Sequence, residues 1–399
     1  MVNATLANMT NGLINATNTS LLNVTSPSRL AFLHNLLSPP VLIVLLSVSA
    51  VVVIMVLVVR NVMPVSHFLY ANARIQARSN FTVSGQLMLE LEEAGSLKEF
   101  RSLLKETVYG EELDKSKEDL RSFHIALEKG FTSSILELVE LSPKKSEPLF
   151  DAYLMFFESK MLKTVYRAKL MDQRIDKSLL YPIGSIDNAL LKHLIDAETI
   201  ADLGVVMSAT RYSGIFDEKY KSLESFEVSL DRFVLNTFVH TVKSTKIHDS
   251  RYIIDILNKK IDILNILAIL KFRIRGIEIE KQRSLLIDNK TPLCLRFDDL
   301  IKAGALNDFV EAFKGLPYYG PLKNAFVKYE KDNALSNFEN ELYRFFKDFV
   351  SGNDLSHTLG PYPLFSYLIK RELELRNLFI VSRGIDAGFS GKKIKGMVI

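Results

Sequence analysis

Three stretches set a tyrosine beside a glycine at nearly equal intervals. They are "ETVYGEEL" around Tyr109 and Gly110, "ATRYSGIF" around Tyr212 and Gly214, and "LPYYGPLK" around Tyr319 and Gly320. Each follows a run with helical periodicity: "SLKEFRSLLKE", "AETIADLGVVMSA" and "ALNDFVEAFKG". In the first, Leu97, Phe100, Leu103 and Leu104 recur at three- and four-residue spacing and share one helix face. One such turn is an ordinary helix stop, where glycine supplies a positive φ. Three at this spacing constrain the chain further, because they predict several copies of one packing unit.

A second element alternates with the first. It is a helix with a small polar or basic residue six positions before another basic one: Asn72 with Arg78, Lys163 with Lys169, Asn265 with Lys271, and Asn377 with Arg383. In the last two, an acid stands three residues ahead of the asparagine, Asp262 and Glu374; the second copy has Lys163 and no such acid. Six residues turn a helix to roughly 120° from alignment, so these pairs do not build one compact site. They read better as contacts between units than as i, i+3 neighbours on a helix surface. Other segments, such as "KIDILNILAILKF", "ENELYRFFKDFV" and "FSYLIKRELELRNLFIVSR", are also helical in period, and alternating strand-like runs are scarce. The expected fold is all-α. Helical modules are expected at 60–155, 156–257 and 258–399, the last with a closing helix, arranged about a pseudo-threefold axis that encloses a hollow.

The first 60 residues differ in kind. Arg29 is the only full charge before Arg60. Residues 1–38 carry five Asn-x-Ser/Thr sequons, at Asn3, Asn8, Asn15, Asn18 and Asn23, which read as candidate glycosylation sites on a disordered outer tail. The segment 41–59, "VLIVLLSVSAVVVIMVLVV", is uncharged and close to the ~20 residues a helix needs to cross a bilayer. Arg60, His67, Arg74 and Arg78 follow it, so the charge bias places the N-terminus outside the cell membrane and the bulk in the cytoplasm. A signal peptide would have a basic start and a shorter apolar core.

Composition and motifs exclude several functions. The 50 basic and 46 acidic residues leave a net charge of +4, with no basic block for nucleic acid. Cys294 is the sole cysteine, so no intramolecular disulfide can form. The run "GIDAGFSGKKIKG" has Asp386 where a phosphate loop needs glycine and Lys393 where it needs serine or threonine. His240 and His248 lack acidic support for a metal. Adjacent acids such as Glu92 and Glu93, Glu111 and Glu112, or Asp298 and Asp299 point about 100° apart on a helix. No catalytic, cofactor-binding or metal-binding residue is predicted.

The pieces "YANARIQARSN", "ETVYGEEL", "IDILNILAILKF" and "ELRNLFIVSRGIDAGFSGKKI" together resemble the C subunit of archaeal-type and bacterial V-type rotary ATPases, whose eukaryotic counterpart is the d subunit. The resemblance covers residues 66 to 399 and leaves out the tail and apolar segment. It implies three similar helical domains forming a funnel, no catalytic group, and a place between the central-shaft subunits and the rotating proteolipid ring. It implies no small-molecule substrate and no cofactor; the apolar segment adds membrane lipid as a partner. A membrane-anchored helical scaffold presenting repeated docking modules is the other reading.

Overall fold

The computed structural model describes residues 39–66, 68–78, 83–177, 180–216, 222–245, 250–352 and 360–399. The five sequons of the N-terminal tail, His248 and the side chain of Arg78 lie outside the described residues. The chain divides after Pro64 into an N-terminal unit and a body, Val65–Ile399. Helix α1 (Pro39–Ser66) dominates the first. Its stretch Pro39–Arg60 has a mean hydropathy of 3.3 and no buried residue. At 28 residues it measures about 42 Å, longer than the ~30 Å hydrocarbon core of a bilayer.

The body is all-α, and among its described residues the sole β feature is a bridge between Ile183 and Ile186. Its helices run α2 (Leu69–Arg78), α3 (Gly85–Glu93), α4 (Leu97–Leu103), α5 (Gly110–Asp114) and α6 (Leu120–Leu141). Then come α7 (Glu147–Leu170), α8 (Asn188–Asp196), α9 (Ile200–Met207), α10 (Ser213–Phe216) and α11 (Leu223–Ser244). They continue as α12 (Ser250–Ile274), α13 (Ile279–Ser284), α14 (Phe297–Lys302), α15 (Leu306–Glu311), α16 (Tyr319–Asp332) and α17 (Ser336–Gly352). The chain closes with α18 (Tyr362–Asp386) and α19 (Gly391–Met397).

One packing series recurs three times. A pair of short helices, α3–α4, α8–α9 or α14–α15, leads into a buried tyrosine. Counting from that tyrosine, the buried positions coincide without insertion: Leu91, Leu194 and Leu300; Phe100, Leu203 and Phe309; Leu104, Met207 and Phe313; Leu113, Phe216 and Leu322. The local chemistry coincides too. Glu99, Asp202 and Asp308 each accept from a backbone amide at the start of the second short helix, a carboxylate at a positive helix end. The turn after it is closed by Gly110 N–H to Thr107 O, Ser213 N–H to Thr210 O and Tyr319 N–H to Leu316 O, at 3.1–3.2 Å. This register corrects one expectation. The third tyrosine of the series is Tyr318, and Tyr319 occupies the next position.

Three long helices complete the series, α18 with the first tyrosine, α7 with the second and α12 with the third. Each carries an acid, Glu158 and Asp262 buried and Glu374 largely so. Fourteen residues after the acid, each chain turns left-handed, at Gly388, Asp172 and Gly276. The following amide then reaches back five residues: Phe389 to Gly384 O, Gln173 to Ala168 O, and Ile277 to Phe272 O, at 2.8–3.0 Å. That is the 6→1 bond of a Schellman stop, used three times. The acid absent from the expected second copy is therefore Glu158. In this register Met161 and Arg167, not Lys163 and Lys169, correspond to Asn265 and Lys271.

The helix expected merely to close the molecule, α18, is the long helix of the first repeat, which joins distant parts of the chain. The expected boundaries at 155/156 and 257/258 fall inside α7 and α12.

The long helices meet in their N-terminal halves. Phe156, Lys260 and Glu372, each two residues before its acid, converge. Lys260 Nζ lies 2.6 and 2.7 Å from the Glu372 carboxylate oxygens and 5.2 Å from the Phe156 ring centre. The Tyr153 hydroxyl donates to the same carboxylate. Phe150 stacks on Phe365 at 5.4 Å, and Tyr252 meets Tyr362 edge-on at 6.4 Å. Side chains of all three long helices thus touch one another at this meeting point.

Candidate functional site

The chemistry of the body concentrates in three buried tyrosine–carboxylate joints. In each, a hydroxyl on a turn donates to the acid of a long helix: Tyr109 to Glu374 at 2.9 Å, Tyr212 to Glu158 at 2.6 Å, Tyr318 to Asp262 at 2.7 Å. All three tyrosines are essentially inaccessible to solvent. Burial and the adjacent carboxylate push each phenol well above its ordinary pKa, so it stays a donor.

The remaining partners differ by repeat. Glu158 accepts from Tyr212, from the Ser185 amide at 2.7 Å and hydroxyl at 3.0 Å, and from Arg211 at 2.6 Å. Gly184, at φ +57°, brings the backbone so close that a Cβ there would sit 1.9 Å from Glu158 Oε1. Among the described residues Asp262 accepts from neutral donors: Tyr318, the Asn289 amide at 3.1 Å and the Thr291 hydroxyl at 2.7 Å. Glu374 accepts from Tyr109, from the Val83 amide at 3.2 Å and from Arg371. Burial raises the pKa of Asp262 and of Glu374, against the opposing effect of these donors. A cation also lies over each tyrosine ring: Arg371 at 5.0 Å, Arg211 at 5.8 Å and Lys259 at 5.9 Å.

Asn265 and Asn377 make matching two-point clamps. Asn265 donates to Ile287 O at 2.8 Å and accepts from Ile287 N–H at 2.9 Å. Asn377 does the same with Ile399, at 2.9 and 3.2 Å. Both isoleucines stand twenty-five residues after the acid of their repeat. The second repeat has Ile183 there, whose amide and carbonyl instead pair with Ile186, and buried Met161 replaces the asparagine.

The other predicted residues take separate places. Asn72 is buried on α2 and donates to Gly360 O at 3.1 Å, tying α2 to the start of α18. Arg78 ends α2. Lys271 and Arg383 are exposed, as is His240. Tyr319 is half-buried and donates to Glu311 at 3.0 Å. Gly110 is required by crowding rather than by a positive φ: a Cβ there would lie 2.1 Å from Lys105 O. Gly214 and Gly320 have open space around them. Asn289, which with Lys290 and Thr291 also spells Asn-x-Thr, lies in the Asp262 joint, where its amide is engaged. Sequence reasoning missed Glu158, Arg211, Tyr318 and the Lys260–Glu372 pair; fixed spacing from the left-handed stop would have found Glu158.

These joints fasten helices together and present no open reactive group. Among the described residues no cluster of metal-ligating side chains occurs. The model of the ATP synthase (C/AC39) subunit family matches residues 71–397. The chain belongs to that family. Similar relatives include the C subunit of the A-type ATP synthase of Methanocaldococcus jannaschii, 25% identical over 373 residues, covering 90% of this chain and 92% of the relative. The same subunit of Methanosphaera stadtmanae is 24% identical, covering 91% and 96%, and that of Pyrococcus furiosus is 25% identical, covering 82% and 89%. The first two matches are too long to fit within the residues after Val59, so they reach into the apolar helix. The family model begins at residue 71, so the tail and the apolar helix lie outside it, as the sequence reading expected, and the Pyrococcus match is short enough to lie within the body of this family member.

Proposed function

We propose that this chain is the C subunit of an A-type ATP synthase, a non-catalytic coupling piece. It joins the central shaft to the proteolipid ring and carries torque between ion movement and ATP synthesis or hydrolysis. The observation that supports this reading best is the Lys260–Glu372–Tyr153 convergence, where the long helices of all three repeats are tied to one another. A torque carrier needs stiffness, and close-packed helices cross-linked by buried polar joints resist relative sliding. Its contacts with shaft and ring need to be large, above ~1,000 Å² in total.

In this reading α1 crosses the cell membrane, with the N-terminus outside and the body in the cytoplasm. A rotor element passing through lipid outside the ring would collide with the stator, so α1 occupies the ring's central hole.

Purification in mild detergent tests the assignment: the chain is expected to bring proteolipid and catalytic subunits with it. Isolation without them would instead favour a membrane-anchored scaffold. For α1, a cysteine in place of Ala50 is expected to cross-link to proteolipid; adducts with stator subunits alone would remove the central-hole placement. Mass spectrometry of the mature N-terminus separates a retained anchor from a cleaved one.

A further inference from the structure

A cleft of about 440 Å³ opens in the body between α6, α7 and α18. That volume lies within the ~300–1,000 Å³ usual for small-molecule sites. Phe379 and Arg383 reach it from α18 of the first repeat, Lys160 from α7 of the second, and Arg121, His124 and Glu128 from α6. Cations outnumber acids on this wall. Arg121 is answered by Asp176 at 2.8 Å, and Lys160 by Glu128. Among the described residues no acid pairs with exposed Arg383, so one guanidinium is left uncompensated.

His124 registers the resulting field. Its Nε2 lies 3.0 Å from Ser382 Oγ, and its ring centre 4.6 Å from that of Phe379. The Ser382 hydroxyl already donates to Leu378 O at 2.8 Å, so towards His124 it can only accept, and Nε2 carries the proton of the neutral ring. A second proton has only Nδ1 to go to. Burial, then Arg383 and Lys160, lower the His124 pKa from 6.5 to about 4, so the ring is uncharged at neutral pH. The Lys160 ammonium lies 6.0 Å from the same Phe379 ring centre, and Arg383 stands four residues after Phe379, on the same face of α18.

We propose that this cleft binds a small, soluble organic phosphate. Arg383 takes its phosphoryl oxygens, since the fork of guanidinium N–H groups suits phosphate geometry. Lys160 has three donors, so it keeps Glu128 and still gives one to the ligand. Phe379 and half-buried Phe157 receive the organic part. Glu128, the acid on this wall, is already engaged by Lys160 and by the Tyr181 hydroxyl. A ligand held in this way bridges α18 of the first repeat and α7 of the second, and stabilises the body by mass action. The site is complete within this chain, so its test is independent of the coupling reading.

The test uses the full chain in phosphatidylcholine nanodiscs, with phenyl phosphate as the probe and sodium chloride at matched ionic strength as the control. Isotopically labelled histidine lets NMR follow the His124 titration, assigned by the signal that His124→Gln removes. An anion seated beside the ring favours its charged form. Phenyl phosphate is therefore expected to raise the His124 pKa from about 4 back towards 6.5, and chloride to leave it in place. Arg383→Gln, at an exposed position, is expected to weaken phenyl phosphate binding about tenfold or more by calorimetry and to abolish that rise. Arg383→Lys is expected to recover part of both.

Phenyl phosphate that binds without moving His124, equal affinity in Arg383→Gln, or no binding at millimolar probe would each overturn the proposal. A second arm replaces the nanodisc lipid with phosphatidylglycerol and adds no probe. His124 is expected to titrate there as it does in phosphatidylcholine. A rise on that lipid alone would assign the cleft to a bilayer headgroup and overturn the soluble ligand.

Discussion

The second and third joints place an acid and a tyrosine in one geometry and settle the buried charge by opposite means. Around Glu158 the compensation is ionic: Arg211 bridges Glu158 and Asp151, with contacts of 2.6 Å to each. Around Asp262 it is dipolar, through Asn289, Thr291 and Tyr318. The source of the difference is readable residue by residue. Three positions before the acid, the first and third repeats carry Arg371 and Lys259, while the second has buried Met155. The second instead gains its cation just before the tyrosine, where the third has Pro317. A joint can thus keep its hydroxyl–carboxylate bond while its cation moves to another element, so long as some donor set answers the acid. The comparison predicts unequal tolerance to mutation.

The largest effect is expected at Glu158. Glu158→Leu leaves the Ser185 donors and the Tyr212 hydroxyl buried without an acceptor, and Arg211 half-paired. Removing one partner of a buried ion pair costs about 3–5 kcal/mol. Urea unfolding of the full chain in detergent, followed by circular dichroism, measures it. A loss below ~1 kcal/mol would mean that Asp151 alone satisfies Arg211, and the ionic description of this joint would fail.

Much of the fold was legible in the sequence, for a physical reason. Helical periodicity and the spacing of tyrosine turns are local signals, and Asp262 with Asn265, and Glu374 with Asn377, stand in one register because they do one job. The misses have equally definite causes. Tyr318 and Tyr319 are adjacent, and only the packing of Phe309, Phe313 and Leu322 selects Tyr318 as the buried one. Glu158 was hidden because both neighbours that flag the acid elsewhere, the cation before and the asparagine after, had been exchanged for Met155 and Met161. The union of α18 with the N-terminal helices is a long-range contact with no local mark.

The clamps come next in size. Asn265→Ala leaves the Ile287 amide and carbonyl without their side-chain partner, and two lost hydrogen bonds at ~1 kcal/mol each predict a loss of about 2 kcal/mol. Asn377→Ala is expected to cost about the same through Ile399, as two ordinary hydrogen bonds of ~1 kcal/mol each again go. Met161→Asn in the second repeat has no free backbone pair to clamp, because Ile183 and Ile186 already bond each other, so it should destabilise. A stabilising result there, by denaturant midpoint, would show that the second repeat retains the clamping register.

Tyr318→Phe and Tyr319→Phe sharpen the register directly. The first removes the buried donor to Asp262 and should cost about 1–2 kcal/mol. The second removes a half-buried bond to Glu311 and should cost a few tenths, within the usual range for surface changes of ~0.5 kcal/mol. The reverse order would restore Tyr319 as the structural equivalent of Tyr109 and Tyr212.

The most discriminating change, and the smallest expected at any of the three acids, is Asp262→Asn. The substituted amide can still accept from Asn289 and Thr291 and can donate to the Tyr318 oxygen, so the loss at neutral pH should stay below ~1 kcal/mol. Its effect lies in the pH profile. Burial raises the folded-state pKa of Asp262 above the ordinary value of 3.8, so between those two pKa values the folded chain holds more protons than the unfolded one. Stability from this site is then fully present below pH 3.8 and is lost as pH rises through the folded pKa. The wild type should therefore weaken across that interval, with Glu374 contributing in the same direction from 4.5 upward. Asp262→Asn should flatten the Asp262 part of the slope while Tyr318 stays buried. Denaturant midpoints from about pH 3.5 to 7 measure it, and an unchanged slope in the variant would mean that the neutral donors hold Asp262 ionised as firmly folded as unfolded.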